Sequence, residues 1–362
     1  MSNNIKISVI TPMYNSAKYL DDFITKFFNQ TLNDIELVLV NDASPDNSLD
    51  IANSYKNKFP NKIQVLSYEN NKRAGGARNY GLLHSNGQFV AFIDPDDWMD
   101  DTMLEKLYYK AIEDNCDVVD CDYYDYNSIT QELKPQISYN DCCIGVVNNE
   151  LLNNTIVYSG RIFTKIYSRK MLINNGIRYP ENIMYEDNGT ILHICSKKIG
   201  KVKENLFYYR TFNANSQTGS IYKNSQIADR ITAARNFVDV AINYGKFDVL
   251  FDSVEFRYIY LGYASNIYLY VANKLNINFK ELERACEYKN KFFSNYKNNR
   301  FFKQNLQPYS FPIKFCMYIY EINPYLLLLV KFTKPILHFL YRILKFIIYE
   351  SRNFEPGKNS LK

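Results

Sequence analysis

The sequence lacks the two glycine-rich loops by which many proteins bind nucleotide phosphates. Neither GxxxxGK[ST] nor a GxGxxG after the first strand occurs in its 362 residues. In both patterns glycine allows the backbone to approach phosphate groups closely. Their absence argues against a classical ATPase and against a classical dehydrogenase.

Cysteine pairs at metal or redox spacing are also missing. The seven cysteines contain no CxxC, and their odd number in a long chain is typical of a reduced, cytosolic protein. The neighbours Cys142 and Cys143 fit either a redox pair or two loop thiols without a role. No charged segment followed by an apolar stretch precedes the first strand at Ile5, so we expect no secretory signal.

The sequence has neither a large excess of charge of one sign nor a long apolar run near its C-terminus. The net charge is only +5 and the N-terminal two-thirds mixes both signs, which argues against a nucleic-acid-binding face. The longest uncharged run near the C-terminus, Ile322 to Val330, is far shorter than the roughly 20 residues that span a bilayer. With 46% hydrophobic and 22% charged residues the composition is globular, and the length favours two regions.

Apolar segments of strand length alternate with helical patterns in the N-terminal part of the chain. Strand-like runs begin at Ile5, Ile35, Ile63, Phe89 and Val118, and helical apolar spacings lie between them. The alternation predicts an α/β fold with a mostly parallel sheet covered by helices. In such folds ligands bind at the carboxyl ends of the strands.

The apolar run Phe89–Ile93 ends in three carboxylates, Asp94, Asp96 and Asp97, with Pro95 stiffening the turn. Continuous apolar runs of this length are typical of strands buried on both faces. Asp94 and Asp96 are two residues apart and suit a hard divalent cation such as Mn²⁺ or Mg²⁺. Asp96 and Asp97 equally suit a cap for the helix that follows.

Two earlier loops follow strands at the same predicted edge of the sheet. Asp42 offers an acceptor for the edge of a base, and the loop from Thr11 through Pro12 and Tyr14 to Asn15 offers backbone groups and an aromatic ring. Ordinary turn chemistry explains the same residue types. Because the topology brings these loops together, the set points to a ligand site.

A glycine-rich segment opens the third predicted helix. Gly75 and Gly76 allow a backbone to approach closely, and Arg78 supplies a fixed cation. Arg78 suits either an ion pair with Asp94 or a phosphate.

Four segments carry a resemblance to the family 2 glycosyltransferases of the GT-A fold. They are Ile10–Asn15, Val40–Asp46, Ala74–Gly81 and Phe92–Trp98, in the order and spacing of that family, and the resemblance covers about residues 5 to 215. It implies a nucleotide-diphosphate-sugar donor, usually a UDP-sugar. It also implies Mn²⁺ or Mg²⁺ at the Asp-x-Asp element and inversion at the anomeric carbon.

The resemblance also implies roles by position. Asp42 would contact the base, Asp94 and Arg78 would lie around the ribose and phosphates with Pro95 between the acids, and Asp96 would be the main metal ligand. Asp97 has the least definite place in this metal site.

An inverting transfer needs a base on the acceptor side, and the pair Glu186-Asp187 resembles the family's Glu-Asp element, in which the Asp is the base. The same acids suit the N-terminal cap of a helix predicted over Ile191–Cys195. We expect His193 to be a packed residue of that helix.

Two further cations are candidates at the donor site. Lys165 lies in the segment Gly160–Tyr167, which resembles a region where related enzymes carry a Lys, and Arg210 ends a strand before the polar loop from Thr211 to Ser220. Both would steady phosphates, with solvated surface cations as the alternative. The loop suits a lid over the donor.

After about residue 220 the pattern becomes helical. We expect a GT-A domain over 1–220 and a helical region over 221–362, with helices at Ile227–Ile242 and Val249–Val271. From Pro335 a broad apolar face with a narrow basic strip is typical of an interfacial helix. An amphipathic segment near 311–350 therefore predicts peripheral contact with the cytoplasmic face of a membrane. A core or dimer-contact helix is the alternative, and a homo-oligomer fits it.

The sequence predicts an inverting, metal-dependent glycosyltransferase of cell-surface polysaccharide biosynthesis. It would move a sugar from a nucleotide-diphosphate donor to a saccharide or lipid-linked acceptor. The alternatives are a sugar nucleotidyltransferase, which would need a basic glycine loop near the N-terminus, and a non-catalytic nucleotide-sugar or glycan-binding protein on the same fold.

Overall fold

The structure, a computed structural model, describes residues 5–158, 161–189, 191–211, 224–267, 279–301 and 311–322. Its strands are β1 Ile7–Met13, β2 Ile35–Asp42, β3 Ile63–Tyr68, β4 Phe89–Phe92, β5 Trp98–Met99, β6 Val118–Asn127, β7 Leu133–Gln136, β8 Gly145–Val146, β9 Lys165–Ser168 and β10 Lys198–Thr211. Its α-helices are α1 Ala17–Phe28, α2 Ser48–Lys58, α3 Arg73–His84, α4 Met103–Glu113, α5 Asn149–Tyr158, α6 Arg169–Asn174, α7 Asn224–Asn243, α8 Phe251–Tyr258, α9 Phe279–Phe292 and α10 Phe311–Ile322.

The strands form one mixed sheet in the order β3-β2-β1-β4-β9-β6-β10-β5, with β7 on β6 and β8 on β10. Strands β3, β2, β1 and β4 are parallel, and β10 is parallel to β6. Strand β9 lies antiparallel between β4 and β6, and β5 is antiparallel to β10. The mostly parallel α/β sheet predicted from the sequence is confirmed.

Both faces of the central strands are covered, because neighbouring residues of one strand enter two different apolar clusters. Val9 packs in a cluster with Phe23 of α1 and Leu107 of α4, whereas Ile10 packs in a cluster with Ala77 of α3. In β4 every residue is at most 4% exposed, including Phe92 at 1%. Burying a side chain of this size stabilises the fold by about 1.5–3 kcal/mol.

The helical region packs against the sheet domain instead of forming a core of its own. One apolar cluster runs from Ile10 in β1 to Tyr320 in α10. After α8 the chain continues as a π-helix, Ile259–Ala264, that packs on α7. A methyl group at Gly262 would lie 2.9 Å from Cβ of Ala234, so glycine permits this close packing. The domain division at 220/221 stays a prediction.

Two local expectations differ from the structure. Residues Ile191–Cys195 form turns, because Ile194 and Ser196 bond to carbonyls only three residues earlier and the segment is too short to continue as a helix. The first strand, which the sequence predicts over Ile5 to Thr11 with Pro12 ending it, extends to Met13 as β1 and includes Pro12, which pairs in register with Val40.

The predicted interfacial segment from Pro335 lies outside the described residues. Helix α10 covers the beginning of the predicted 311–350 segment, and the end of the expected helix Val249–Val271 is likewise not described. No helix within the described ranges is long and apolar enough to cross a bilayer.

Candidate active site

The predicted loops meet at one cleft of about 600 Å³ along the carboxyl ends of the parallel strands. The sequence-predicted residues that line it are Pro12, Tyr14, Asn15, Asp42, Arg78, Asp94, Pro95, Asp96, Asp97, Glu186, Asp187 and Arg210. This convergence follows from the topology, because parallel strands end at the same edge of a sheet.

The loop after β1 is held by side chains from the loop after β2. The Asn15 N–H donates to Oγ of Ser44 at 2.8 Å, and the Ala17 N–H donates to Oδ2 of Asp46 at 2.9 Å. Asn15 adopts a left-handed backbone with φ of 54°. Strained backbone of this kind persists where surrounding contacts fix it, and it is concentrated at functional sites.

Asp42 lies at the tip of β2 with its side chain facing the next loop. Its Oδ1 accepts from the Lys72 N–H at 2.6 Å, and its residue is 2% exposed. Burial raises the pKa of the Asp42 carboxyl, although the N–H groups of Lys72 and Arg73 oppose the shift. One oxygen therefore holds the loop to α3, and Asp42 still lines the cleft.

Arg78, on the buried face of α3, joins two carboxylates from distant parts of the chain. Its Nη2 lies 2.7 Å from Oδ1 of Asp94, and its Nη1 donates to Oε1 of Glu186. Burial lowers the Arg78 pKa, but the carboxylates of Asp94 and Glu186 outweigh it and the net pKa is raised. The ion pair with Asp94 was expected, whereas the partner 108 residues away was not.

Gly75 allows the segment before Glu186 to approach α3. A methyl group there would lie 2.2 Å from the carbonyl oxygen of Pro180 and 3.2 Å from Cβ of Glu186. The close backbone approach predicted at this glycine is therefore present, and the partner is the protein's own chain.

Asp96 and Asp97 are linked to Arg210 at the end of β10. The Arg210 N–H donates to Oδ1 of Asp97 and its Nε–H donates to the carbonyl of Asp96, both at 2.8 Å. The guanidinium also lies 5.0 Å from the ring centre of Trp98 and 5.5 Å from that of Tyr19. Such cation–π contacts fix Arg210 at the cleft beside the acidic turn.

Glu186 and Asp187 begin a short 3₁₀ helix, Glu186–Gly189, and both line the cleft. Glu186 is 7% exposed and its carboxylate pairs with Arg78, and Asp187, the next residue, also lines the cleft. Tyr185, just before them, has φ of 64°, an unfavourable conformation for a bulky residue.

Two predicted donor-site residues are not brought to the cleft. Thr11 is fully buried within β1. Lys165 is 1% exposed, and its Nζ lies 2.9 Å from Oδ1 of Asp120 and donates to the carbonyl of Arg161 at 2.7 Å. The expectation that Lys165 steadies phosphates was wrong, because its ammonium is enclosed in the sheet.

Several residues that line the cleft were not predicted from the sequence, among them Phe163, Arg230 and Leu261. Phe163 precedes β9, Arg230 lies on α7, and Leu261 lies on the π-helix. The helical region therefore contributes to the site. The sequence carries no motif in this region, and the packing of α7 on the turn that bears Glu186 is visible only in the structure.

The acidic turn fits a cation that takes its other ligands from a substrate. Within the described residues no three His, Cys, Asp or Glu side chains are arranged to hold a metal alone. Asp94 and Asp96 line the cleft, and burial, followed by the charge of Asp96, raises the pKa of Asp97 well above its ordinary value. A cluster of negative charge favours an added cation, and Mg²⁺ typically uses one or two carboxylates with substrate phosphates.

Comparison with known proteins decides the family. The family model described as Glycosyl transferase family 2 matches residues 8–188, half of the chain. The chain belongs to this family. The glycosyltransferase is therefore an enzyme of the transferase class, and the nucleotidyltransferase and non-catalytic alternatives are set aside.

Relatives of the glycosyltransferase include two named bacterial sugar transferases. It is 29% identical to the cholesterol galactosyltransferase of Borreliella burgdorferi over 310 residues, 80% of this chain and 82% of the relative. It is 28% identical to the poly(ribitol-phosphate) beta-N-acetylglucosaminyltransferase TarS of Staphylococcus aureus (strain Mu50) over 223 residues, 60% of this chain and 38% of the relative.

Solved structures agree on the fold. TarS residues 1–349 in complex with UDP-GlcNAc has a TM-score of 0.58 and 22% identity, covering 83% of this chain and 92% of that one. A mannosyltransferase from Pyrobaculum calidifontis, in complex with GDP-Man and Mn²⁺, has a TM-score of 0.50 and 14% identity, covering 91% and 87%. Both likenesses support the GT-A fold.

Proposed function

We propose that this glycosyltransferase moves a sugar, with inversion, from a nucleotide-diphosphate donor to a hydroxyl of a saccharide or lipid-linked glycan. The observation that carries the proposal is that Asp96 and Asp187 line one cleft, with Arg78 contacting both Asp94 and Glu186 between them. One cleft thus holds both an acidic turn and a candidate base.

The chemistry assigned to each residue follows from that arrangement. Asp187 accepts the proton of the acceptor hydroxyl. At the same time the oxygen of that hydroxyl bonds to the anomeric carbon of the donor, and the bond from this carbon to the diphosphate breaks. Arg210 and Arg78 provide fixed positive charge near the leaving diphosphate, which gains negative charge as that bond breaks. Asp42 and the loop Pro12–Asn15 bind the nucleoside.

The donor we propose is a UDP-sugar, with Asp96 as the main ligand of Mn²⁺ or Mg²⁺, Asp94 beside it, and Asp97 as an additional candidate ligand. When bound, the cation stabilises charge on the leaving diphosphate. The UDP-GlcNAc complex of TarS and the Mn²⁺ complex of the mannosyltransferase, both structures of the same fold, motivate these choices. An α-linked donor would then give a β-linked product.

We also propose that the enzyme works at the cytoplasmic face of a membrane. Between Lys314 and Tyr349 the sequence has five Lys or Arg against one Glu, which suits an anionic leaflet. This placement is consistent with a lipid-linked acceptor.

The test is release of nucleoside diphosphate from a panel of nucleotide sugars, with and without Mn²⁺. We expect Asp187→Asn to lower turnover by about 100-fold or more, the range of general-base catalysis, while donor affinity is unchanged. Asp96→Asn should instead weaken metal-dependent donor binding. Asp141→Asn, which removes an exposed carboxylate paired with Lys203, is the control. Unimpaired activity in Asp187→Asn would refute the base, and no metal-dependent release with any donor would refute the proposal.

A further inference from the structure

The helical region places an arginine at the same wall of the cleft as Glu186 and Asp187. Arg230 of α7 and Leu261 of the π-helix line the cleft beside the turn that bears these acids. The roles assigned above for donor, cation and base use neither residue. Arg230 is therefore a cleft cation without an assigned ligand.

Arg230 differs from the other two arginines that we assign to the reaction. Arg78 is balanced by Asp94 and Glu186, and Arg210 bonds to the acidic turn. Within the described ranges Arg230 pairs with no carboxylate, and its buried Nε has no hydrogen-bond partner. Its guanidinium lies over the ring of Tyr185, 4.7 Å from the ring centre. It therefore brings positive charge that no carboxylate among these residues balances.

The position of Arg230 relative to the acids is fixed by α7. The Met184 N–H donates to Oδ2 of Asp229, the residue before Arg230, at 3.1 Å. Tyr185, whose ring lies under the guanidinium of Arg230, directly precedes Glu186 and has a left-handed backbone. These contacts make the turn and this part of α7 one structural unit. A ligand group at Arg230 would therefore lie in the cleft beside the turn that bears Asp187.

We propose that Arg230 binds an anionic group, a phosphate or a carboxylate, carried by the acceptor. The assignment of this group to the acceptor rests on the proposed role of Asp187. A guanidinium presents several N–H donors in a planar fork that matches the oxygens of either anion, and its stacking on Tyr185 holds the plane of that fork. A phosphate suits a sugar phosphate or a phosphate-linked polymer, and a carboxylate suits a uronic acid.

The experiment uses the full chain with saturating UDP and Mn²⁺, so that the donor end is occupied. NMR titration would measure the affinity of hexose 1-phosphate, glycerol 3-phosphate and hexuronate, with methyl hexoside and glycerol as the neutral partners. We expect at least one anionic probe to bind about 10-fold or more tightly than its neutral partner, as a charged hydrogen bond predicts. Whether the phosphate probes or the hexuronate bind more tightly than their neutral partners shows which anion the site prefers.

Variants of Arg230 test whether its side chain causes the preference for an anionic probe. We expect Arg230→Gln to abolish the preference for the anion, Arg230→Lys to keep part of it, and UDP affinity to be unchanged in both. Arg284→Gln, which removes an exposed arginine paired with Glu281 on α9, is the control for net charge.

Three outcomes would overturn the proposal. They are wild-type protein without a preference for any anionic probe, equal weakening of anionic and neutral probes by Arg230→Gln, and loss of UDP binding in that variant, which would place Arg230 at the donor end. If Asp187→Asn kept full turnover while the anion preference still depended on Arg230, the base assignment would fail and the anion site would stand.

Discussion

Arg78 and Lys165 are both buried cations with acidic partners, but they differ in their relation to the cleft. Arg78 is 3% exposed and Lys165 is 1% exposed. The partners of Arg78, Asp94 and Glu186, line the cleft, whereas Lys165 bonds to Asp120 and to groups inside the sheet. Burial and ion pairing therefore do not by themselves identify a site residue. What distinguishes Arg78 from Lys165 is that the partners of Arg78 line the cleft.

Arg78→Met should produce the largest effect, because it disturbs both the fold and the site. It would leave the carboxylate of Glu186 buried without its partner, and breaking a buried pair typically costs about 3–5 kcal/mol. Turnover per folded molecule should also fall by about 100-fold, since the two ends of the cleft lose their common contact. Denaturant unfolding and donor turnover measure the two effects. Arg78→Lys is the control that keeps the charge but cannot bind both carboxylates at once. Wild-type turnover in Arg78→Met would contradict the distinction drawn between Arg78 and Lys165.

Lys165→Met should destabilise the protein similarly and leave catalysis per folded molecule unchanged. Removing the ammonium leaves Asp120 fully buried with only Lys201 as a cationic neighbour, at 3.7 Å. The expected loss is again about 3–5 kcal/mol in denaturant unfolding. The double variant Lys165→Met/Asp120→Asn should recover part of it, because neither charge then remains alone. A fall in turnover with stability unchanged would move Lys165 to the site.

His193 should give the smallest effect near neutral pH, because its contribution to stability appears only as the pH falls. Its ring packs against Tyr139 near Lys165, and burial lowers the pKa of His193 to about 3. The unfolded chain binds a proton below about pH 6.5 and the native state does not. Stability should therefore decrease by up to about 1.4 kcal/mol per pH unit as pH falls from 6.5 towards 3.

The measurement compares the pH dependence of unfolding for wild type and His193→Gln. The variant should lack this part of the slope, while turnover at neutral pH stays the same. Identical slopes in the two proteins would mean that His193 is protonated in the native state.

The sequence predicted most of the site because its residues follow strands. Asp42 is the last residue of β2 and Asp94 follows β4 by two residues, and parallel strands bring such positions together. The ion pair of Arg78 with Asp94 was foreseen from charge and proximity to the same edge. Local patterns thus identified most of the predicted residues that line the cleft at the strand ends.

Contacts between distant segments were not predictable in the same way. The pairing of Glu186 with Arg78 joins residues 108 apart, and nothing local distinguishes it from a helix cap. Lys165 was predicted as a site residue because its segment resembles a family motif. In the structure its ammonium is buried and forms an ion pair with Asp120. Arg230 lies in a region without motifs. Its place at the cleft depends on how α7 packs.

The chain contains one tryptophan, and Trp98 lies next to the acidic turn. Its ring stacks on Tyr208 at 5.1 Å and lies 5.0 Å from the guanidinium carbon of Arg210. Intrinsic tryptophan emission from this protein therefore comes from a single ring at one end of the cleft. The glycosyltransferase has a built-in optical probe of that end, and events around Arg210 can be followed by light without attaching a label.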